Sequence, residues 1–264
     1  MSRITETFKR LKSENKKALV AFITAGDPDI PTTEDLFKAV EESGADIIEL
    51  GVPFSDPLAD GPVIQASAQR ALKSGTTLKK IIKLVSEIRK TSQLPVVLMT
   101  SYNPVWAYGP QQFAKDAQEA GVDGMIIPDL PPEEAGEFEV DCKGNGLDLI
   151  YLLAPTSTPD RISLIGGKSS GFIYYVSLTG TTGVRQGLAD GVEEKVNSIK
   201  NATTLPVLIG FGISNPDNAR QAAAISDGVI VGSALVRLIE EASDSKERLK
   251  QVREFVSQMK QALA

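Results

Sequence analysis

Eight short β-rich runs alternate with helical patterns, no linker divides the chain, and glycine collects after the last three runs. Together these predict an α/β fold: a single-domain (β/α)8 barrel of the TIM type spanning residues 1–264, with its chemistry on the loops that follow the strands. The length of 264 residues suits one such barrel. A chain of that size buries roughly three quarters of its unfolded surface and needs no staple.

The polar opening segment, Met1 to Lys17, is expected to form an extra N-terminal helix ahead of the barrel. Strands are expected at Ala18–Ala25, Asp46–Val52, Pro95–Thr100, Gly124–Asp129, Asp148–Ala154, Gly171–Ser177, Pro206–Gly210 and Gly228–Gly232. Each is nearly continuous in Val, Ile and Leu, as parallel strands covered on both faces require. Helices are expected at Thr32–Ser43, Leu78–Lys90, Gln111–Ala120, Glu133–Lys143, Val192–Asn201 and Asn215–Ala224, and in the tail from Leu235 to Ala264 with a break near Ser243–Asp244. A weak repeat marks three helix-to-strand joints: Gly44-Ala45-Asp46, Gly121-Val122-Asp123 and Gly146-Leu147-Asp148. Its glycine suits a left-handed helix cap, and the repeat reads as structural.

Composition removes several classes of function. Net charge is -6, and no Lys/Arg cluster accompanies aromatics, which argues against nucleic acid. No run approaches the ~18 apolar residues of a membrane span. The single cysteine, Cys142, forbids an internal disulfide and reads as a packed or surface thiol. With an opening segment that lacks a signal peptide's apolar core, this points to the cytoplasm. The chain contains no histidine, so a Ser-His-Asp triad, a histidine base and an HExxH zinc site are all excluded. No clustered Asp/Glu/Asn set suggests an obligatory metal, and no Lys lies within a strand to form a Schiff base. What remains is metal-free proton transfer by carboxylates, Lys, Tyr or the thiol.

The loop after the second strand runs Glu49-Leu50-Gly51-Val52-Pro53-Phe54-Ser55-Asp56-Pro57-Leu58-Ala59-Asp60-Gly61-Pro62. Strand alternation puts Ile47, Glu49 and Gly51 on one face, so Glu49 points into the barrel mouth. There it is either a desolvated acid–base or a structural carboxylate bonded to backbone amides. Asp60 reads equally as a turn-former or as a carboxylate reaching over the mouth. The glycine-rich ends of strands 6 to 8, Thr179-Gly180-Thr181-Thr182-Gly183, Gly210-Phe211-Gly212 and Gly232-Ser233, suit a phosphate held by backbone N–H groups and a helix N-terminus. Thr179 to Leu188 looks like a mobile lid after strand 6. Phe22, Ile126, Leu152, Tyr174, Phe211 and Ile230 fall at or near strand ends and would line an apolar pocket or pack the core.

With these motifs, together with Phe22-Ile23-Thr24-Ala25-Gly26-Asp27-Pro28, Tyr102-Asn103-Pro104 and Pro128-Asp129-Leu130-Pro131, the sequence resembles the alpha subunit of tryptophan synthase over nearly its whole length. The loop from Glu49 to Pro62 is the specific part; the glycine motifs alone would fit many phosphate-binding barrels. The resemblance implies a lyase of tryptophan biosynthesis that splits indole-3-glycerol phosphate into indole and glyceraldehyde 3-phosphate. It implies Glu49 as the acid–base and Asp60 as the carboxylate on the ring N–H. It implies Tyr174 in the active site and Thr182 on the lid, and it matches Gly183, Gly212, Gly232 and Ser233 to the phosphate positions. Tyr175 should face the helix layer. Leu178 stands where some members carry Arg. The resemblance further implies a beta subunit in an alpha2-beta2 heterotetramer. That subunit would carry pyridoxal phosphate, with no cofactor in this chain, and would dock on loops containing Pro53, Phe54, Asp56, Pro57, Asn103, Pro104, Val105, Trp106, Pro131 and Pro132. Two alternatives stay open: another phosphate-binding barrel, such as a ring-closing synthase or sugar-phosphate isomerase, and a weakly active barrel that mainly activates a partner.

Overall fold

The computed structural model describes residues 2–57, 60–177, 191–210 and 212–264. The expected lid, with Leu178, Thr182 and Gly183, and the expected pocket residue Phe211 lie outside the described residues. Among those described, the strands are β1 (Ala18–Thr24), β2 (Ile47–Gly51), β3 (Val96–Met99), β4 (Gly124–Ile126), β5 (Asp148–Ile150), β6 (Leu152–Leu153), β7 (Ile173–Val176), β8 (Val207–Gly210) and β9 (Gly228–Val231). They form one parallel sheet in the order β5-β4-β3-β2-β1-β9-β8-β7-β6. The two ends of that order are one stretch of chain joined by Tyr151, so the sheet closes into a ring: the TIM barrel.

The fifth expected strand, Asp148–Ala154, is therefore two strands rather than one. β5 pairs with β4, and β6 pairs with β7. On the edge of β5 that faces away from β4, the Leu149 carbonyl accepts the Ser170 N–H at 3.0 Å. The Leu149 N–H donates to Ser170 Oγ at 2.9 Å, and the Tyr151 N–H to Ser169 Oγ at 3.3 Å. Serine hydroxyls thus stand where a ladder would continue, which breaks the strand and still satisfies its backbone.

The helices are α1 (Arg3–Ser13), α2 (Ile30–Glu42), α3 (Pro62–Lys73), α4 (Leu78–Ile88), α5 (Tyr102–Tyr108), α6 (Pro110–Ala120), α7 (Gly136–Gly144), α8 (Pro159–Lys168), α9 (Val192–Ala202), α10 (Pro216–Ile225), α11 (Ser233–Glu241) and α12 (Ser245–Gln261). The tail breaks where expected, and Asp244 caps α12 by accepting the Glu247 N–H. Three helices had no counterpart in the sequence reading. α3 buries only Ser67, Ala68 and Ala71, too little apolar bulk to register as a period. α5 is seven residues long, and α8 carries two glycines and buries only Ile162 and Ile165.

Two apolar cores result from strand alternation. The outer one lies between sheet and helices and includes Ile48, Leu50 and Tyr175. The inner one fills the barrel with Val20, Ile47, Val97, Ile126, Ile150, Tyr174, Leu208 and Ile230. Helix α1 plugs the bottom of the barrel with Ile4, Phe8 and Leu11, and the Phe8 ring meets Phe172 at 5.9 Å. Cys142 is buried on α7, and burial pushes its thiol up to about 12, so it behaves as a packing residue.

The aspartates of the Gly-apolar-Asp repeat explain how the bottom holds together. Gly121 ends α6 at φ +91, a conformation that suits glycine. Asp123 then accepts the Val96 N–H at 2.8 Å while its own N–H donates to Val96 O, and Arg89 and Arg3 neutralise it at 2.6 and 2.9 Å. Asp46 does the same with Leu19, paired to Lys260 and Arg10. Asp227, outside the repeat, does so with Val207 and Lys200. The carboxylates of Asp46 and Asp123 are buried and that of Asp227 is partly exposed, and each is satisfied by an amide and by a cation.

Candidate active site

At the opposite, C-terminal end the strands open on a cleft of about 280 Å3. It is lined by Phe22, Thr24, Gly51, Val52, Pro53, Phe54, Pro57, Asp60, Ile64, Ala68, Met99, Thr100, Ser101, Pro128 and Asp129. The loop after β2 and helix α3 form one wall, and the ends of β1 and β3 form the floor. Phe22 and Asp60 were expected there. Ile126, Tyr174 and Ile230, with Leu152 partly buried against them, belong to the inner core beneath the cleft. Thr24, Met99 and Thr100 were missed, although Thr24 shares the inward face of Phe22, and Met99 that of Val97.

Glu49 lies one inward position below Gly51 and opposite Phe22 in the β1–β2 register. It is 1% exposed, and its Oε2 is buried with no hydrogen-bond partner. A structural carboxylate at that depth would accept amide hydrogens, as Asp46 and Asp123 do, and Glu49 Oε2 accepts none. Burial, with Asp60 as a second negative charge, pushes its pKa up to about 8. At neutral pH the group holds its proton and can give it away.

Asp60 is half-buried, and burial raises its pKa to about 6. Its backbone is fixed: its N–H reaches Pro57 O at 3.4 Å, and its carbonyl accepts from Gln65 Nε2 at 2.8 Å. Its carboxylate has no hydrogen bond or ion pair among the described residues, so it is free to meet a ligand. Tyr174 completes the group. It is buried, and desolvation, reinforced by Glu49 and Asp60, holds its hydroxyl well above the usual range.

Two aromatic rings set the shape of the mouth. A Cβ at Gly51 would fall 2.4 Å from Phe22 Cζ, and one at Gly210 would fall 2.5 Å from the Tyr174 ring. The glycines at these strand ends make room for rings, a role separate from any phosphate.

An acid that is protonated at neutral pH beside one that is ionised is the pairing proton-transfer chemistry needs. The family model described as tryptophan synthase alpha chain matches residues 8–264. The chain belongs to the tryptophan synthase alpha chain family. It is 53% identical to the alpha chain of Geobacter sulfurreducens over 263 residues, covering 100% of this chain and 99% of that one. It is 56% identical to the alpha chain of Geotalea uraniireducens, covering 94% of each. The solved tryptophan synthase subunit alpha of Legionella pneumophila matches at a TM-score of 0.92 and 41% identity, covering 100% of this chain and 98% of that one. Membership of the tryptophan synthase alpha chain family carries a lyase role in tryptophan synthesis.

The other side of the mouth holds the expected phosphate positions. Gly212 adopts φ +79, a left-handed conformation that side chains resist. Gly232 precedes α11, whose first turn has no side-chain cap, leaving its N–H groups open at Ser233. Among the described residues, no three His, Cys, Asp or Glu side chains cluster as a metal site, and no helix is long and apolar enough to cross a membrane. The loops expected to meet a partner are mixed. Trp106 is 68% exposed, with its ring 6.2 Å from Tyr102, and Asp56 and Asn103 are exposed. Phe54, Pro57, Pro104 and Pro131 are half-buried. Pro53, Val105 and Pro132, expected among the exposed apolar positions, are buried, Pro53 in the wall of the cleft.

Proposed function

We propose that the chain cleaves indole-3-glycerol phosphate by a retro-aldol reaction. Glu49 gives its proton to C3 of the indole ring. The ring nitrogen then carries positive charge, and ionised Asp60 accepts a hydrogen bond from its N–H and stabilises that charge. The bond from C3 to the side chain breaks, its electrons restoring the aromatic ring. The side-chain hydroxyl becomes the aldehyde of glyceraldehyde 3-phosphate, and its proton returns to Glu49. The acid is thereby regenerated without a metal or cofactor in this chain.

The observation that carries this reading is the buried, unpartnered Oε2 of Glu49 with Asp60 in the same mouth. Phosphate would sit on the backbone at Gly183, Gly212, Gly232 and Ser233. Tyr174, Phe22, Ile126, Leu152, Ile230 and Phe211 would shape the indole end, with Thr182 a further substrate-binding residue. Indole would then pass to a pyridoxal-phosphate-bearing beta subunit in an alpha2-beta2 complex in the cytoplasm. That subunit would seat on exposed Asp56, Asn103 and Trp106, with Pro53, Pro57 and Pro131 beneath.

The test is indole release from indole-3-glycerol phosphate, with and without a beta subunit. Turnover should rise on mixing, and Glu49→Gln should nearly abolish it while circular dichroism stays unchanged. Near-normal turnover in Glu49→Gln would overturn the mechanism.

A further inference from the structure

Among the described residues Asp60 reaches the cleft without a side-chain bond of its own, so there its position is inherited from the chain beside it. Two residues later α3 begins, and Gln65 on that helix holds the Asp60 carbonyl. Whatever fixes α3 therefore fixes Asp60. Yet α3 buries only Ser67, Ala68 and Ala71, whereas α4 buries six Leu, Ile and Val side chains. A face of serine and alanine gives a helix little apolar grip and no bulky knob to set its register.

Polar bonds supply what packing does not. Ser67 Oγ lies 2.6 Å from Thr24 Oγ1, and Ser74 Oγ, which has Ala71 O at 2.8 Å, also lies 3.2 Å from Gly26 O. Between them stands Arg70. Its Nε and Nη2 donate in parallel to the two oxygens of Asp27, each at 2.8 Å, and Asp27 is 3% exposed. Its Nη1 donates to Glu240 on α11 at 2.6 Å. A two-pronged bond to a buried carboxylate fixes both distance and angle, which a lysine cannot do. The Glu240 limb is exposed and weaker, but it ties α3 to the helix whose N-terminus faces the proposed phosphate.

We infer that Arg70 is a positioning residue for Asp60, acting through α3. The inference rests on the functional reading above, because it gives Asp60 work to do. Arg70 touches no reacting atom; it holds the helix that holds the carboxylate. Loss of its fork should let α3 shift by a fraction of a turn, misplacing Asp60 and leaving Glu49 and the phosphate positions where they are.

The experiment is a double-mutant cycle on indole release, using the full chain with its beta subunit. Arg70→Lys keeps the charge and one bond to Asp27, so the fold should survive, checked by thermal melting; Glu240→Gln, on the exposed limb, is a second and milder probe. Arg70→Lys should lower kcat by about tenfold to a hundredfold, as small misplacements of a catalytic group do, with KM changed less than about twofold. In an Asp60→Asn background the same substitution should lower kcat by less than about twofold, because no carboxylate is left to misplace. An equal loss with and without Asp60 would overturn the inference and leave the functional reading standing. The Asp60→Asn single variant is read separately: normal turnover there would sink the role of Asp60 itself.

Discussion

Glu49 and Asp60 share one barrel mouth but hold their protons differently: burial and its neighbour push Glu49 to about 8, and burial alone takes Asp60 to about 6. Between those values one is protonated and the other ionised. The cleavage step needs that pairing, so kcat/KM should rise as pH passes about 6 and fall as it passes about 8. Asp60→Asn should lose the acidic limb. A profile flat across this range would show that neither group titrates in the rate-limiting step.

The same burial makes a claim about stability. The pKa of Glu49 is higher folded, at about 8, than its ordinary value of 4.5. Its folded state is therefore favoured below about 4.5, and that advantage is lost as pH rises through about 8. Glu49→Gln removes the titration. The variant should melt above the parent at pH 9 and level with it near pH 4. Identical melting curves at both pH values would show that Glu49 is not desolvated.

Gly51 is reserved for the ring of Phe22. Gly51→Ala would place a methyl 2.4 Å from Cζ and force that ring to move. Overpacking of this kind costs about 1–3 kcal/mol. Denaturant melts should show it, and KM for the indole substrate should rise because Phe22 lines the cleft. An unchanged KM would take Phe22 out of the substrate site.

Across the mouth, Gly212→Val asks a β-branched residue to adopt φ +79. Binding of inorganic phosphate, measured by calorimetry, should weaken at least about tenfold, a loss of ~1.4 kcal/mol. Affinity equal to that of the parent would remove this turn from the phosphate site.

At the far end of the barrel, Arg89 is nine-tenths buried against Asp123. Arg89→Met leaves that carboxylate with only the more exposed Arg3. Removing one partner of a buried pair costs about 3–5 kcal/mol. Urea unfolding should show a loss of that order while kcat holds, because the chemistry lies at the other mouth. A matching fall in kcat would mean that the two ends are coupled.

Eightfold alternation and the inward face of Glu49 were legible in the sequence because both follow from period-2 geometry and apolar runs. What was missed has physical causes. Helix α3 was invisible because Ser67, Ala68 and Ala71 carry no hydrophobic period. Pro53, Val105 and Pro132 read as exposed because apolar residues in a loop announce their chemistry and not their depth. Thr24 and Thr100 were passed over because small hydroxyl residues at strand ends look like ordinary caps. The aspartates of the joint repeat were seen as a pattern, but their bonds to Leu19 and Val96 join segments distant in sequence and no local window contains them.

Around most of the ring the strands are stitched by backbone atoms, and such stitching is indifferent to which side chains hang from it. Beside β5 this changes. The amides of Leu149 and Tyr151 depend on the hydroxyls of Ser170 and Ser169. Closure of the circle there is shared between the backbone bond from the Ser170 N–H to the Leu149 carbonyl and two serine hydroxyls, so part of the seam, unlike a backbone ladder, lies within reach of side-chain substitution.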